Sequence, residues 1–380
     1  MNYINVDNLK PGMIAAEDIY AVGLRNSPII RSGTILNKAI IAALKQRRVD
    51  GILISIQQEP SSEVADIKPQ IALPVQHVVD KPKPTVLPEL RDDAVGTLQH
   101  VFEFLSINNN FERFAVPETL LHIDNIVESL VESLSSDKAS IVNLHSLKSP
   151  DDYIYHHSLS VTVIAVAVGK HLGFDKKRLC ELGKCSMLHD IGKVAVPVEI
   201  ICKPARLSHN ELSVMRHHSL AGYQYLLNTN IGSDDVLKGV LHHHERCDGR
   251  GYPYGFKGDE IPVFSRIIAV ADVYDALTSS RPYRGSMQPS EAIEYIMGSI
   301  GTAFDYDAVD SFIRKLEIYP IGSYLLLSNG TIGAVVNNEI QMRPTVKLVN
   351  TGEIVDLAQD RSRLNIVIER ILSDELLELC

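Results

Sequence analysis

Three hundred and eighty residues exceed what one ordinary core absorbs, so the chain is read as two or three domains. Apolar residues at 45% and charged residues at 22% describe a globular chain. The net charge of −10 opposes diffuse attachment to DNA, RNA or an anionic membrane surface. The cysteines Cys180, Cys185, Cys202, Cys247 and Cys380 are scattered without a CxxC pair and read as free thiols of a reducing compartment. No basic and apolar leader follows Met1, and no apolar run approaches the ~20 residues of a membrane span, so a cytoplasmic location is expected.

In chain order, residues 1–57 read as a small mixed α/β domain, regulatory in role. Short β-rich runs at Tyr3–Val6, Met13–Ala15, Ile29–Ile30 and Gly51–Ile56 flank a helix expected at Lys38–Arg47. Residues 58–90 hold six of the 18 prolines without sustained periodicity and read as a proline-rich linker. Helical periodicity then occupies residues 91–318. Segments are expected at 90–105, 117–134, 155–172, 176–189, 208–228, 233–244, 263–278, 289–299 and 305–316. Ser208 with Glu211 is a capping-box signature, and Pro289-Ser290-Glu291 is a helix start. Residues 319–380 turn β-rich, with strands expected at Ser323–Leu327, Thr331–Val336, Thr345–Leu348 and Glu353–Asp356 and a hairpin turn at Asn329-Gly330. The fold class is therefore multidomain α+β: an all-α helical domain, a small mixed α/β domain before it and a short β-rich segment after it.

Ten of the 14 histidines lie between His156 and His244. The helical block offers His157, His189, Asp190, Lys193, His218, His243, His244, Asp272, Arg281 and Arg284, mostly on helices or at their ends, where a bundle can bring distant ligands together. One histidine on an amphipathic helix is ordinarily solvated or satisfied in the core, and the run His242 to His244 alone could be a surface tract. The ordered set carries the weight. Imidazole with carboxylate suits Fe, Mn, Zn, Ni or Co. Five histidines and two aspartates are too many for one tetrahedral ion. They fit two if Asp190 bridges, with His157, His189, Asp190 and Asp272 on one ion and Asp190, His218, His243 and His244 on the other.

His189-Asp190-Ile191-Gly192-Lys193, followed by the run from His243 to Pro253 (HHERCDGRGYP), resembles the HD-GYP domain of the HD phosphohydrolase superfamily. The resemblance continues through Lys203-Pro204, the run from Asp272 to Leu277 and Arg281-Pro282-Tyr283-Arg284, and covers about 150–318. Residues 1–57 resemble, more weakly, a small domain often placed before HD-GYP domains. The resemblance implies an all-α HD-type catalytic domain that hydrolyses cyclic di-GMP to linear pGpG and sometimes onward to GMP. It implies the same seven metal ligands, with Lys193 and Asp190 in the catalytic site. Arg281 and Arg284 would bind substrate phosphate, Gly251, Tyr252 and Pro253 would shape the pocket edge, and Asp275 would support the first ion. Trinuclear members carry a glutamate one helical turn before the first ligand histidine. Tyr153 stands there in this chain, so two divalent transition-metal ions are expected, Fe or Mn ahead of Zn, Ni or Co.

The chemistry expected of such a site is in-line attack on phosphorus by a hydroxide bridging the two ions, with Lys193 steadying the phosphoryl charge. Two readings stay open beside it: a cyclic GMP-AMP phosphodiesterase, and a catalytically weak cyclic-dinucleotide receptor. A homodimer, or a signalling partner such as a diguanylate cyclase, is compatible with the flanking segments.

Overall fold

The computed structural model describes residues 2–6, 9–10, 13, 16, 51–54, 84–107, 110–136, 153–203, 205–279 and 287–372. The chain divides into two units, Met1–Ala72 and Leu73–Cys380. In the first, β1 (Asn2–Asn5) pairs antiparallel with β2 (Gly51–Ile54), Tyr3 opposite Leu53, and Ile52 is buried. The helix expected at Lys38–Arg47 and the run Ile29–Ile30 lie outside the described residues. Of Met13–Ala15 only Met13 is described, and it is not in a strand.

In the second unit α1 (Pro88–Ser106) starts inside the expected linker, because Pro88 occupies the first helical turn, where its missing N–H costs nothing. Next come α2 (Glu118–Ser136), α3 (Tyr153–His171) and α4 (Lys176–Leu188). A 3-10 turn at Ile191–Ala195 leads into the single turn α5 (Val198–Ile201), then α6 (His209–Arg216), α7 (His218–Asn228) and α8 (Asp234–His242). The helices end with α9 (Val263–Thr278), α10 (Pro289–Met297) and α11 (Tyr306–Lys315).

Local sequence explains most of these boundaries. Asp175 caps α4 by accepting from Arg178 N at 2.8 Å, and Asp305 caps α11 through Ala308 N at 2.9 Å. At α6 the capping box is complete: Ser208 Oγ accepts from Glu211 N at 3.3 Å, and Glu211 Oε2 accepts from Ser208 N at 2.7 Å. The single helix expected over 208–228 is two. His217 N bonds back to Val214 O at 3.1 Å, which tightens the turn, and a new axis starts at His218. α3 is apolar all round, with Leu159, Val161, Val163, Ile164 and Val166 essentially buried, as befits a central helix wrapped by α4, α9 and α11.

After Tyr319 the chain forms β3 (Tyr324–Leu327), β4 (Ile332–Asn337), β5 (Thr345–Leu348), β6 (Ile354–Asp356) and β7 (Ile368–Leu372). They make one antiparallel sheet in the order β6-β5-β4-β3-β7. The β3–β4 turn carries Gly330 at φ 79°, the left-handed value this hairpin needs. β7 is an addition to the four strands expected. The adjacent Glu369 and Arg370, both exposed, break its apolar alternation, and it pairs with β3 through a register shift at Leu326/Leu327. Leu325, Leu327, Val335 and Val346 join the same buried cluster as the helices. Among the described residues no helix is long and apolar enough to cross a membrane.

Candidate metal centre

Five elements aim polar side chains at one point of this otherwise apolar bundle. α3 supplies His157, the end of α4 supplies His189 and Asp190, α7 begins with His218, the end of α8 supplies His243 and His244, and α9 supplies Asp272. Their potential ligand atoms form two groups, each with its atoms within 4.8 Å of one another: His157, His189 and Asp272, and Asp190, His218, His243 and His244.

Asp190 stands between the groups. Its Oδ2 lies 3.3 Å from His189 Nε2 and 3.8 Å from His157 Nε2, while its Oδ1 lies 3.4 Å from His218 Nε2. One carboxylate thus turns one oxygen to each set. The turn that places it comes very close to α7. A Cβ on Gly192 would meet the His218 carbonyl oxygen at 2.0 Å and Gly222 N at 2.5 Å, so only glycine allows this approach.

The imidazoles are oriented from behind. His189 Nδ1–H donates to Ser186 O at 2.6 Å, His218 Nδ1–H to Met215 O at 2.7 Å and His243 Nδ1–H to Val240 O at 2.6 Å. A carbonyl only accepts, so the proton sits on Nδ1 and the Nε2 lone pair faces inward. His218 Nε2 and His243 Nε2 come to 3.3 Å of each other, a spacing at which both lone pairs can serve one cation. His157 is held differently: Nδ1–H donates to Asp275 Oδ2 at 2.7 Å, and Nε2 faces Asp272 Oδ1 at 3.2 Å.

Electrostatics divides the set in the same way. Burial, reinforced by the neighbouring imidazoles, pushes His243 well below the usual histidine range; burial also lowers His218 and takes His244 to about 3. His157 is as deeply buried, which opposes its charge, yet hydrogen bonds to Asp272 and Asp275 hold its pKa up at about 9. Asp190 and Asp272 stay ionised. Burial works against them, but Lys193 and His189 outweigh it at Asp190, and His157 outweighs it at Asp272.

His189 Nε2 and Asp190 Oδ1 are buried without a hydrogen-bond partner. Orphaned acceptors this deep cost free energy unless a cation takes them. Neutral rings at His218, His243 and His244 with ionised Asp190 and Asp272 are donors a divalent first-row ion requires, and His157 would join them on giving up its proton. These residues fit a divalent metal centre.

Lys193, on the 3-10 turn, donates its ammonium to Asp190 Oδ2, and its side chain is 25% exposed. Tyr252 stacks on His244, centroids 4.7 Å apart and planes 28° apart. Gly251 before it packs so tightly that a Cβ would lie 2.4 Å from Glu245 Cα and Arg246 N. The Tyr252-Pro253 peptide bond is cis, and Pro253 is exposed. Arg281 and Arg284 lie outside the described residues, as does the side chain of Tyr153.

Sequence reading gave no role to Glu245. It is buried, and its carboxylate accepts from Tyr254 N at 2.8 Å, from Gly255 N at 3.1 and 3.0 Å, and from Phe256 N at 3.1 Å. That carboxylate pins Tyr254–Phe256, directly after the Gly251–Pro253 loop, to the chain just after His243 and His244. A charged residue between a histidine pair and a glycine-rich loop was the available signal. His242 belongs to the same support: it stacks on Phe256 at 4.7 Å and 18°, turned away from the ligand groups.

A family model described as HD domain matches residues 124–308. A Pseudomonas aeruginosa protein named cyclic di-GMP phosphodiesterase is 35% identical over 229 residues, 60% of this chain and 55% of that protein. A Xanthomonas campestris protein named cyclic di-GMP phosphodiesterase response regulator is 38% identical over 152 residues, 40% of each chain. A Vibrio cholerae protein named 3'3'-cGAMP-specific phosphodiesterase 1 is 33% identical over 232 residues, 60% of this chain and 53% of that protein. The matches thus span about half of these relatives' own length.

Proposed function

From the match of residues 124–308 to the HD domain model, we propose that the chain is a metal-dependent phosphodiesterase that hydrolyses cyclic di-GMP to linear pGpG. The observation that carries this reading is the Asp190 carboxylate divided between two groups of inward-facing imidazoles. His157, His189, Asp190 and Asp272 would hold one divalent ion, and Asp190, His218, His243 and His244 a second. Fe or Mn suits the donors best, with Zn, Ni and Co compatible. Such ions, when bound, supply Lewis acidity at phosphoryl oxygens and lower the pKa of water toward about 7.

The chain's own residues do the rest. The Nδ1–H bonds behind His157, His189, His218 and His243 fix the rings, so no rotamer search is spent at the moment of reaction. Lys193 lies between the buried carboxylate and solvent, where its further N–H groups can donate to a phosphoryl oxygen as negative charge builds there. Tyr252, held against His244, covers one side of that candidate ligand. Arg281 and Arg284 are assigned to substrate phosphate through their planar forks, on the strength of the motif alone. Residues 1–57 are assigned a regulatory role, 58–90 a linker role and 319–380 a packing role. Cytoplasmic location, a homodimer and a diguanylate cyclase partner remain parts of the same proposal.

A second substrate, cyclic GMP-AMP, is favoured by the Vibrio cholerae relative's name. Anaerobic purification, metal analysis and product identification with both dinucleotides in parallel test the proposal. Two ions per chain and pGpG from cyclic di-GMP are expected. Faster turnover of cyclic GMP-AMP would reassign the substrate, and a metal-loaded chain that cleaves neither would leave only a receptor.

A further inference from the structure

Arg216 closes α6, two residues before His218. Its side chain is exposed, and its Cζ sits 5.1 Å from the centroid of the Tyr252 ring. Tyr252 in turn stacks on His244 at 4.7 Å and meets His218 edge-on at 6.5 Å. A ring stack and a cation–π contact therefore link a candidate ligand to an exposed guanidinium. The platform under it is firm. Tyr252 N donates to His244 O at 3.2 Å, and the next residues are clamped by Glu245.

Some arginines of this unit pair with carboxylates, among them Arg246 with Asp248, Arg266 with Asp259 and Asp305, Arg314 with Asp310 and Arg363 with Glu353, while others such as Arg178, over the Phe174 ring, lie away from the metal-ligand candidates. Arg216 has no carboxylate partner among the described residues. Stacking occupies the face of a guanidinium and leaves its N–H groups in the plane, where they match two oxygens of a phosphate. A cyclic dinucleotide carries two phosphodiester anions, and a single metal centre receives one of them for cleavage. The other arrives charged and needs a cation at about one nucleotide's remove.

We propose that Arg216, poised on Tyr252, is a substrate-binding residue that takes the phosphate not being cleaved, and so selects cyclic dinucleotides over simple phosphodiesters. This rests on the phosphodiesterase reading for its substrate, while its own evidence is the Arg216–Tyr252–His244 stack.

The test uses the full chain loaded with Mn²⁺, as wild type, Arg216→Ala and Arg216→Lys. Kd is measured for a phosphorothioate analogue of cyclic di-GMP, KM and kcat for cyclic di-GMP, and turnover for bis(p-nitrophenyl) phosphate, which has a single phosphate. Arg216→Ala is expected to raise Kd and KM about 10- to 100-fold, the loss typical of a hydrogen bond to a charged group. Its kcat, metal content and activity on the small diester should not change, and Arg216→Lys should recover part of the affinity. Equal Kd values for wild type and Arg216→Ala would overturn the proposal. So would parallel losses on both substrates, which would mark Arg216 as a prop for Tyr252. A wild type that binds the analogue but cleaves nothing would refute the hydrolase reading, and the Kd comparison would still decide the arginine. A wild type that fails to bind would overturn both.

Discussion

In one half of the metal centre His157 stands between two carboxylates, Asp272 at 3.2 Å and Asp275 at 2.7 Å. In the other half His218 and His243 lean on backbone carbonyls and on each other. The residue type is shared and the burial is similar, yet His157 keeps its proton up to about pH 9 while His244 has lost its own above about pH 3. Hydrogen bonds to two carboxylates outweigh burial at His157, whereas burial prevails at His244, whose Nδ1 is 3.9 Å from Asp272. Asp272 and Asp275 favour the imidazolium at His157, whereas burial favours the neutral ring at His218, His243 and His244.

The contrast is broken outright at the one group both halves share. Asp190→Ala should empty both sets and cut turnover by about 10³-fold or more, read by elemental analysis and product formation. Retention of two ions would refute the shared assignment. A one-sided change comes next. Asp275→Asn removes the carboxylate behind His157 only, so one ion should bind about 10- to 100-fold more weakly while the other titrates as before.

The halves should also differ in proton release. Below about pH 9 an ion entering the first set must displace the His157 proton, so its affinity should rise about tenfold per pH unit up to that value. Uptake by the second set should be nearly flat above pH 7, because its histidines are already neutral. Calorimetric titrations in buffers of different ionisation enthalpy would count the protons.

The smallest effect lies outside the centre. Ser208→Ala should cost about 1 kcal/mol in thermal unfolding with metal content unchanged. Glu211, in the same cap, is lowered to about 2 by hydrogen bonds from Lys203 and Ser208. Its folded pKa is depressed, so its contribution is complete above the ordinary carboxylate range and fades as pH falls toward 2.

The helical block was readable in outline because its signals are local. Ser208, Asp175 and Asp305 end helices by short-range hydrogen bonds, and the apolar run of α3 declares a buried axis. The seven ligand candidates could be collected from residue type and order. What residue order hid was long-range or backbone-determined. The break at His217 depends on where His218 must sit, and Glu245 acts on amides nine to eleven residues away. β7 is recruited by β3 across some forty residues, with charges at its middle that mask a strand. Which oxygen of Asp190 meets which imidazole is a property of the packed bundle alone.

Gly192 has a consequence for how such a centre can change. The 3-10 turn bearing Asp190 and the first turn of α7 touch main chain to main chain, with no side chain between them to shorten, lengthen or rotate. The spacing between Asp190 and His218 is therefore built into the skeleton of the domain. Swapping individual side chains can change the donor set, but re-spacing those two residues would take a different backbone.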